Sequence, residues 1–441
     1  MSMWTKPQYG AALLFLLLLA ACGSDSGFNK KEDFASKEGG VQFVNMMPDS
    51  PEVTIIHGFD NTQVPFPVSA PIKVRFEDKY DWRIAYLDSS GKEITVIKDE
   101  NQPITENFLS TFLFMGSLQQ PDVQIVDREI LPVEDKPADM ADIWFASNIT
   151  NHPMVDIYIT AFSADLATSA VLTTLTSGSS SRQFSVGAGT EKQLRITAAG
   201  SLDILFDSGS IAIPENSLDL YALVDDFGPS AANHVDVIRS LTLAGTTITD
   251  VSQSGSARLG NYTSFETIEA TIGAVVFPPT PQEDRSTYQD VADGEQTLIV
   301  TSDGLQLEEL VVNVRLGSFQ SVYTFDNLDA QIQAATNSLI VADEHRPIID
   351  RSLFKFVNGN NQTVDLYALR DNDTLENSLP LINDMSFGGT ATNETLSEVI
   401  NFVVTSSDAT ETLANKIVNL MESESYTLIF DDEGIIQALT N

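Results

Sequence analysis

Along most of the chain, apolar and polar residues alternate in short runs. Val155, Ile157 and Ile159 fall on one side of an extended segment, with Asp156 and Tyr158 on the other. A period of two marks a half-buried β-strand. Gly, Ser, Asn and Asp punctuate the runs, and about six or seven runs per hundred residues is the pattern of an antiparallel β-sandwich. Two stretches, Leu328 to Asp343 and Leu396 to Met421, fit neither the strand nor the helix period cleanly.

The runs repeat as blocks. VQFVNMMPDSPEVTIIH from Val41 and IWFASNITNHPMVDIYI from Ile143 share a Phe eight residues before a Pro (Phe43 and Pro51, Phe145 and Pro153) and a Val two residues later (Val53, Val155). FKFVNGNNQTVDLYAL from Phe354 shortens the loop and loses the proline. A strand-turn-strand block starts at Trp82, Leu194, Leu298 and Phe402, and a closing block at Glu106, Glu215, Leu316 and Glu422. Three blocks with one spacing of about 105 residues predict four domains, each long enough to bury its own core. They are placed at 41–139, 140–255, 256–350 and 351–441. The third is the most diverged: RLGNYTSFETIEATIGAVVF from Arg258 has the position of an opening block but neither its Pro nor its Val-Asp. The expected fold is all-β, a tandem row of immunoglobulin-like antiparallel β-sandwiches with modest interfaces.

The opening motif, apolar-x-Phe-x-Asn, a Pro-bearing loop and then Val-Asp-Ile-Tyr, resembles the family known as domain of unknown function 4397. NMMPDSPEVTI keeps Asn45, Pro48, Asp49, Pro51 and Val53 but has Thr54 where that family has Asp; VDIYI at Val155 and VDLYA at Val364 match its strand. The resemblance implies immunoglobulin-like modules of secreted or cell-surface bacterial proteins and brings no catalytic residues with it.

The beginning of the chain has a different pattern. Ala11 to Ala21 is an unbroken apolar run after Lys6. Eleven residues are too few to cross a bilayer core, which takes about 20, so the pattern is that of a cleaved export signal, residues 1–21. Leu19-Ala20-Ala21-Cys22 resembles the bacterial lipobox, which implies diacylation of the Cys22 thiol, cleavage before it and acylation of the new amino terminus. Cys22 is the only cysteine, so neither an intramolecular disulfide nor a paired thiol site is available. Gly23, rather than Asp, follows it, which by the same resemblance favours the outer membrane of a Gram-negative cell over the inner. Residues 22–40, rich in Gly, Ser and charge, read as the lipidated cysteine and a tether.

Charge narrows the partners. Sixty-two Asp and Glu against 24 Lys and Arg give a formal net charge of −38, which repels nucleic acid. The best acidic clusters, Asp371 to Glu376 and Asp431 to Gly434, lack the ligand spacing of a calcium-binding helix-loop-helix and read as solvated turns. His57, His152, His234 and His345 show no metal-ligand spacing and read as isolated residues, with His152 beside Pro153 the one most worth locating. No Gly-x-Ser-x-Gly elbow, dinucleotide fingerprint or phosphate loop occurs. Tyr158, Tyr221, Tyr323, Tyr367 and Tyr426 read as packing residues rather than a sugar-stacking face.

These patterns predict a non-enzymatic, lipid-anchored cell-envelope protein with a structural, adhesion or binding role. It has no catalytic residues, metal or cofactor; Cys22 is its lipidation site, and its candidate partners are an envelope protein or a polysaccharide. The alternative is an enzyme or accessory protein acting on envelope or extracellular polysaccharide through a carboxylate site between domains. Calcium-stiffened adhesin modules are a third reading.

Overall fold

The computed structural model describes residues 38–440 except 59, 77, 89–91, 131–138, 229–233, 241–244, 328–335, 432 and 435. Among these the fold is all-β: its helical content is two three-residue 3-10 turns, Leu166–Thr168 and Leu375–Asn377. The two stretches of ambiguous period contain strands Thr336–Ala342, Val399–Ser406 and Thr412–Asn419. None of the described helices is long and apolar enough to cross a membrane.

Eight sheets of four to six strands fall in chain order into four pairs, giving tandem β-sandwiches. In module 1 the opening strand Glu38–Asn45 lies inside a sheet with Val68–Ser69, Lys73–Phe76, Phe108–Ser117 and Gln120–Glu129. The facing sheet has Asp60–Val64, Val53–His57, Asp78–Leu87 and Glu93–Ile104 in that spatial order. The strand-turn-strand block of the sequence is the hairpin of the last two. Each module adds one departure from antiparallel pairing. Its opening strand runs parallel to the closing-block strand, with register Phe43↔Phe112, Phe145↔Tyr221, Leu259↔Val322 and Phe356↔Leu428.

That register locates the diverged opening of module 3. Gly255–Tyr262 occupies the opening-strand place, parallel to Phe319–Asp326, and its Asn261 matches Asn45 and Asn358. All three asparagines are buried and do one job. Each side-chain carbonyl accepts a backbone N–H two residues on (Met47, Thr263, Asn360), and each amide donates to a carbonyl across the sandwich (Val64, Thr280, Met385). The asparagine, not the proline, shapes the turn that sends the chain to the second sheet. Module 2 has Ser147 there, and its Asn148 turns outward to donate to the carbonyls of Met46 and Gly116 in module 1.

Opening and closing strands are buried on both faces in every module. One face feeds the sandwich core, as with Phe43, Phe112 and Phe114 in module 1. The other meets a neighbouring module. Val44, Met46, Leu113 and Met115 pack on Trp144, Ala146, Leu220, Ala222, Val224 and Ile238 of module 2. Tyr262, Tyr323, Phe325 and Val341 of module 3 pack on Val357 and Ile429 of module 4. The expectation of modest interfaces is therefore corrected: modules 1 and 2, and modules 3 and 4, join through continuous apolar layers. A strand covered on both sides carries apolar residues at successive positions, which explains FLFM at Phe112 to Met115.

Two further contacts fold the row back. Phe319 of module 3 fills the space a side chain at Gly228, just after the closing strand of module 2, would need. The segment between modules 3 and 4 returns to module 1: Arg346 Nη1 donates to the Ser50 carbonyl at 2.6 Å, and the Ile349 N–H donates to that of Asp49 at 2.9 Å.

Candidate functional site

The first and last modules share a cleft. Leu87 and Asp88, at the end of strand Asp78–Leu87, form its module 1 wall. Module 4 supplies Arg351, Ala368, Arg370, Leu379, Pro380, Leu381, Leu396 and Ile400, with Glu394 and Thr395. The space is about 480 Å³, within the range of ligand clefts. Its lining mixes leucines with charged side chains, and Leu379, at 90 % exposure, is the most exposed large apolar side chain among the described residues.

Charge is arranged asymmetrically around those leucines. Arg351 Nη2 donates to the Leu87 carbonyl at 2.5 Å, holding module 4 on module 1. Glu394 lies 3.5 Å from both Arg346 and Arg351, and burial still leaves its carboxyl above the usual value. Arg370 spends its Nε on Glu398, at 2.5 Å, and its backbone N–H on Asp373. The two Nη groups of Arg370 make no hydrogen bond among the described residues, so a donor fork is left beside the leucines for an incoming acceptor.

The sequence-nominated residues lie elsewhere. Cys22 lies outside the described residues. His57, expected as an isolated surface or loop residue, is instead 2 % exposed in the core of module 1, 5.0 Å from the Tyr80 ring and flanked by Phe43 and Phe112. Burial, and then Arg75 and Lys73, pull its pKa down to about 4. His152 is half-buried in its loop. His345 contacts the Tyr288 hydroxyl at 3.2 Å, and burial lowers its pKa. Asp371 and Asp373 are exposed in a turn, and Asp432 lies outside the described residues. No group of three His, Cys, Asp or Glu among the described residues could hold a metal ion. All five nominated tyrosines are buried.

Sequence reasoning missed one titratable cluster, beside module 3. His234 Nδ1 lies 3.3 Å from Asp250, and the Gln253 amide donates to Asp226 at 3.3 Å. Burial, then Asp226 and Asp250, push the Asp236 carboxyl up to about 7. It also missed the cleft, whose residues come from five separated stretches with no shared motif.

No protein-family description matches the chain, and no curated protein does. Among solved structures, the Bacillus anthracis TIE protein aligns with 88 % of this chain and 66 % of its own at 9 % identity and a TM-score of 0.16. The chain thus spans just under two thirds of that structure, and a likeness at this score carries no argument.

Proposed function

We propose that this is a non-enzymatic, lipid-anchored protein of the bacterial cell envelope, held by acylated Cys22 at the outer membrane, that binds another envelope protein through its tandem β-sandwich modules. The lipobox supports the address, and the resemblance to domain of unknown function 4397 agrees with it. The cleft between modules 1 and 4 carries the binding reading. Its leucines suit apolar side chains of a protein segment, and the fork of Arg370 suits a carboxylate beside them. The partner segment is accordingly apolar with an acidic residue.

Two variants test the two halves. Cys22→Ser should release the protein from the membrane fraction and abolish acyl labelling; unchanged fractionation defeats the anchor. A photo-crosslinker at position 379 should give a discrete protein adduct in cells that Arg370→Glu with Leu381→Asp removes. An adduct indifferent to those substitutions, or none at all, defeats the cleft.

The enzymatic reading draws on one observation, the raised carboxyl of Asp236 near Asp226 and Asp250. It requires turnover of an envelope polysaccharide that Asp236→Asn abolishes.

A further inference from the structure

The short strand Lys73–Phe76 is an edge strand of module 1, paired only with the opening strand, in register Glu38↔Phe76 and Gly40↔Val74. Its apolar residues face solvent: Phe76 is 67 % exposed and Val74 38 %. Lys73 and Arg75 point to the other side, where Lys73 donates to Thr62 at 2.5 Å and Arg75 pairs with Asp60. An exposed Phe and Val on one face of an edge strand are apolar side chains of the kind that enter a membrane interface. From this exposed face and the proposed anchor at Cys22, on which the proposal rests, we infer that strand Lys73–Phe76 is the foot of the molecule on the lipid surface, inserting Phe76 and Val74 among the headgroups.

The reach of the tether specifies a bilayer as the occupant. Fifteen residues separate Cys22 from Glu38, so even full extension keeps Glu38 within about 55 Å of the anchored sulfur. Phe76 is the register partner of Glu38, so this exposed ring lies where the tether meets the fold.

The foot also orients the cleft. Strand Asp78–Leu87 begins two residues after Phe76 and ends at the cleft wall, a run of about 30 Å at the usual rise per residue. Anchored at one end of that strand, the protein presents the cleft at the other, away from the lipid.

Tryptophan quenching in the lipidated full chain reads this directly. Trp82 and Trp144 are buried, so each supplies a baseline rather than a surface signal. Phe76→Trp and, separately, Leu381→Trp would be reconstituted into vesicles of phosphatidylethanolamine and phosphatidylglycerol with brominated acyl chains. Quenching beyond the unmodified protein is expected for Phe76→Trp and not for Leu381→Trp. Equal quenching at both positions, quenching at 381 alone, or none at 76 overturns the foot. Floatation of the vesicles reports the anchor separately. A chain that does not float has lost the anchor and the foot with it, whereas one that floats with position 76 unquenched has lost only the foot.

Discussion

The two module pairs are joined at the same faces by different chemistry. Gln42 and Trp144 stand at matching positions of the opening strands in modules 1 and 2; Arg258 and Lys355 stand there in modules 3 and 4. Between modules 1 and 2 the layer is apolar around the buried cation Arg128. It donates to the Leu218 carbonyl, Gln42 and Thr111 at 2.5 to 2.9 Å, and burial lowers its pKa to about 10. Between modules 3 and 4, Asp343 lies 3.6 Å from both Arg258 and Lys355 and accepts hydrogen bonds from Tyr288 and Ser321 at 2.6 Å. One carboxylate thus serves two cations that the pseudo-equivalent strands bring together. A buried ion network adds little net stability over an apolar layer, but it penalises any arrangement that separates its members. The first joint is held by packing; the second is held in register by charge.

Removing one charge should separate the joints most sharply. Asp343→Asn leaves Arg258 and Lys355 buried without their counter-ion and should cost about 4 kcal/mol, read as an earlier denaturant transition of modules 3 and 4. If that transition does not move, the network is not what holds the joint. Arg128→Met should cost only about 1 kcal/mol, because Arg128 donates to neutral oxygens and Gln42 Oε1 keeps its hydrogen bond from Ser240 at 2.6 Å. An equal loss from the two substitutions would erase the contrast.

Acid should act more gradually. His345 sits at the second joint against Tyr288, Phe319 and Asp343, with Arg258, Lys355 and Arg285 near, and its folded pKa lies below the ordinary 6.5. A depressed histidine favours its neutral form, so its contribution is complete above 6.5 and is lost as pH falls through the lower folded value. His57 has the same sign within module 1, over a window from 6.5 down to about 4. His345→Gln should flatten the acid dependence of the module 3 and 4 transition, and His57→Phe that of module 1. Unchanged pH profiles in these variants would place the acid sensitivity elsewhere.

The strand blocks, their spacing and the sandwich class were legible because half-buried strands impose a period of two on the sequence. The joints were not. Leu113 and Met115 look like ordinary core residues until their strand is seen to be covered on both sides, and the Asp343 network joins residues from five segments. His57 escaped notice because a histidine amid aromatics has no spacing that separates core from surface. In module 3 the missing proline concealed an opening turn that Asn261 makes without it. The cleft was illegible for a further reason: Leu87, Arg351, Arg370 and Leu379 become neighbours only after module 4 folds back onto module 1.

That return is the central structural claim, and small-angle X-ray scattering of the Cys22→Ser chain from residue 22 tests it most directly. Four modules packed as described should give a radius of gyration near that of a compact chain of this size, about 22 Å plus a small increment from the tether. A value typical of an extended row of separate modules, well above about 30 Å, would contradict the closed arrangement and dissolve the cleft with it.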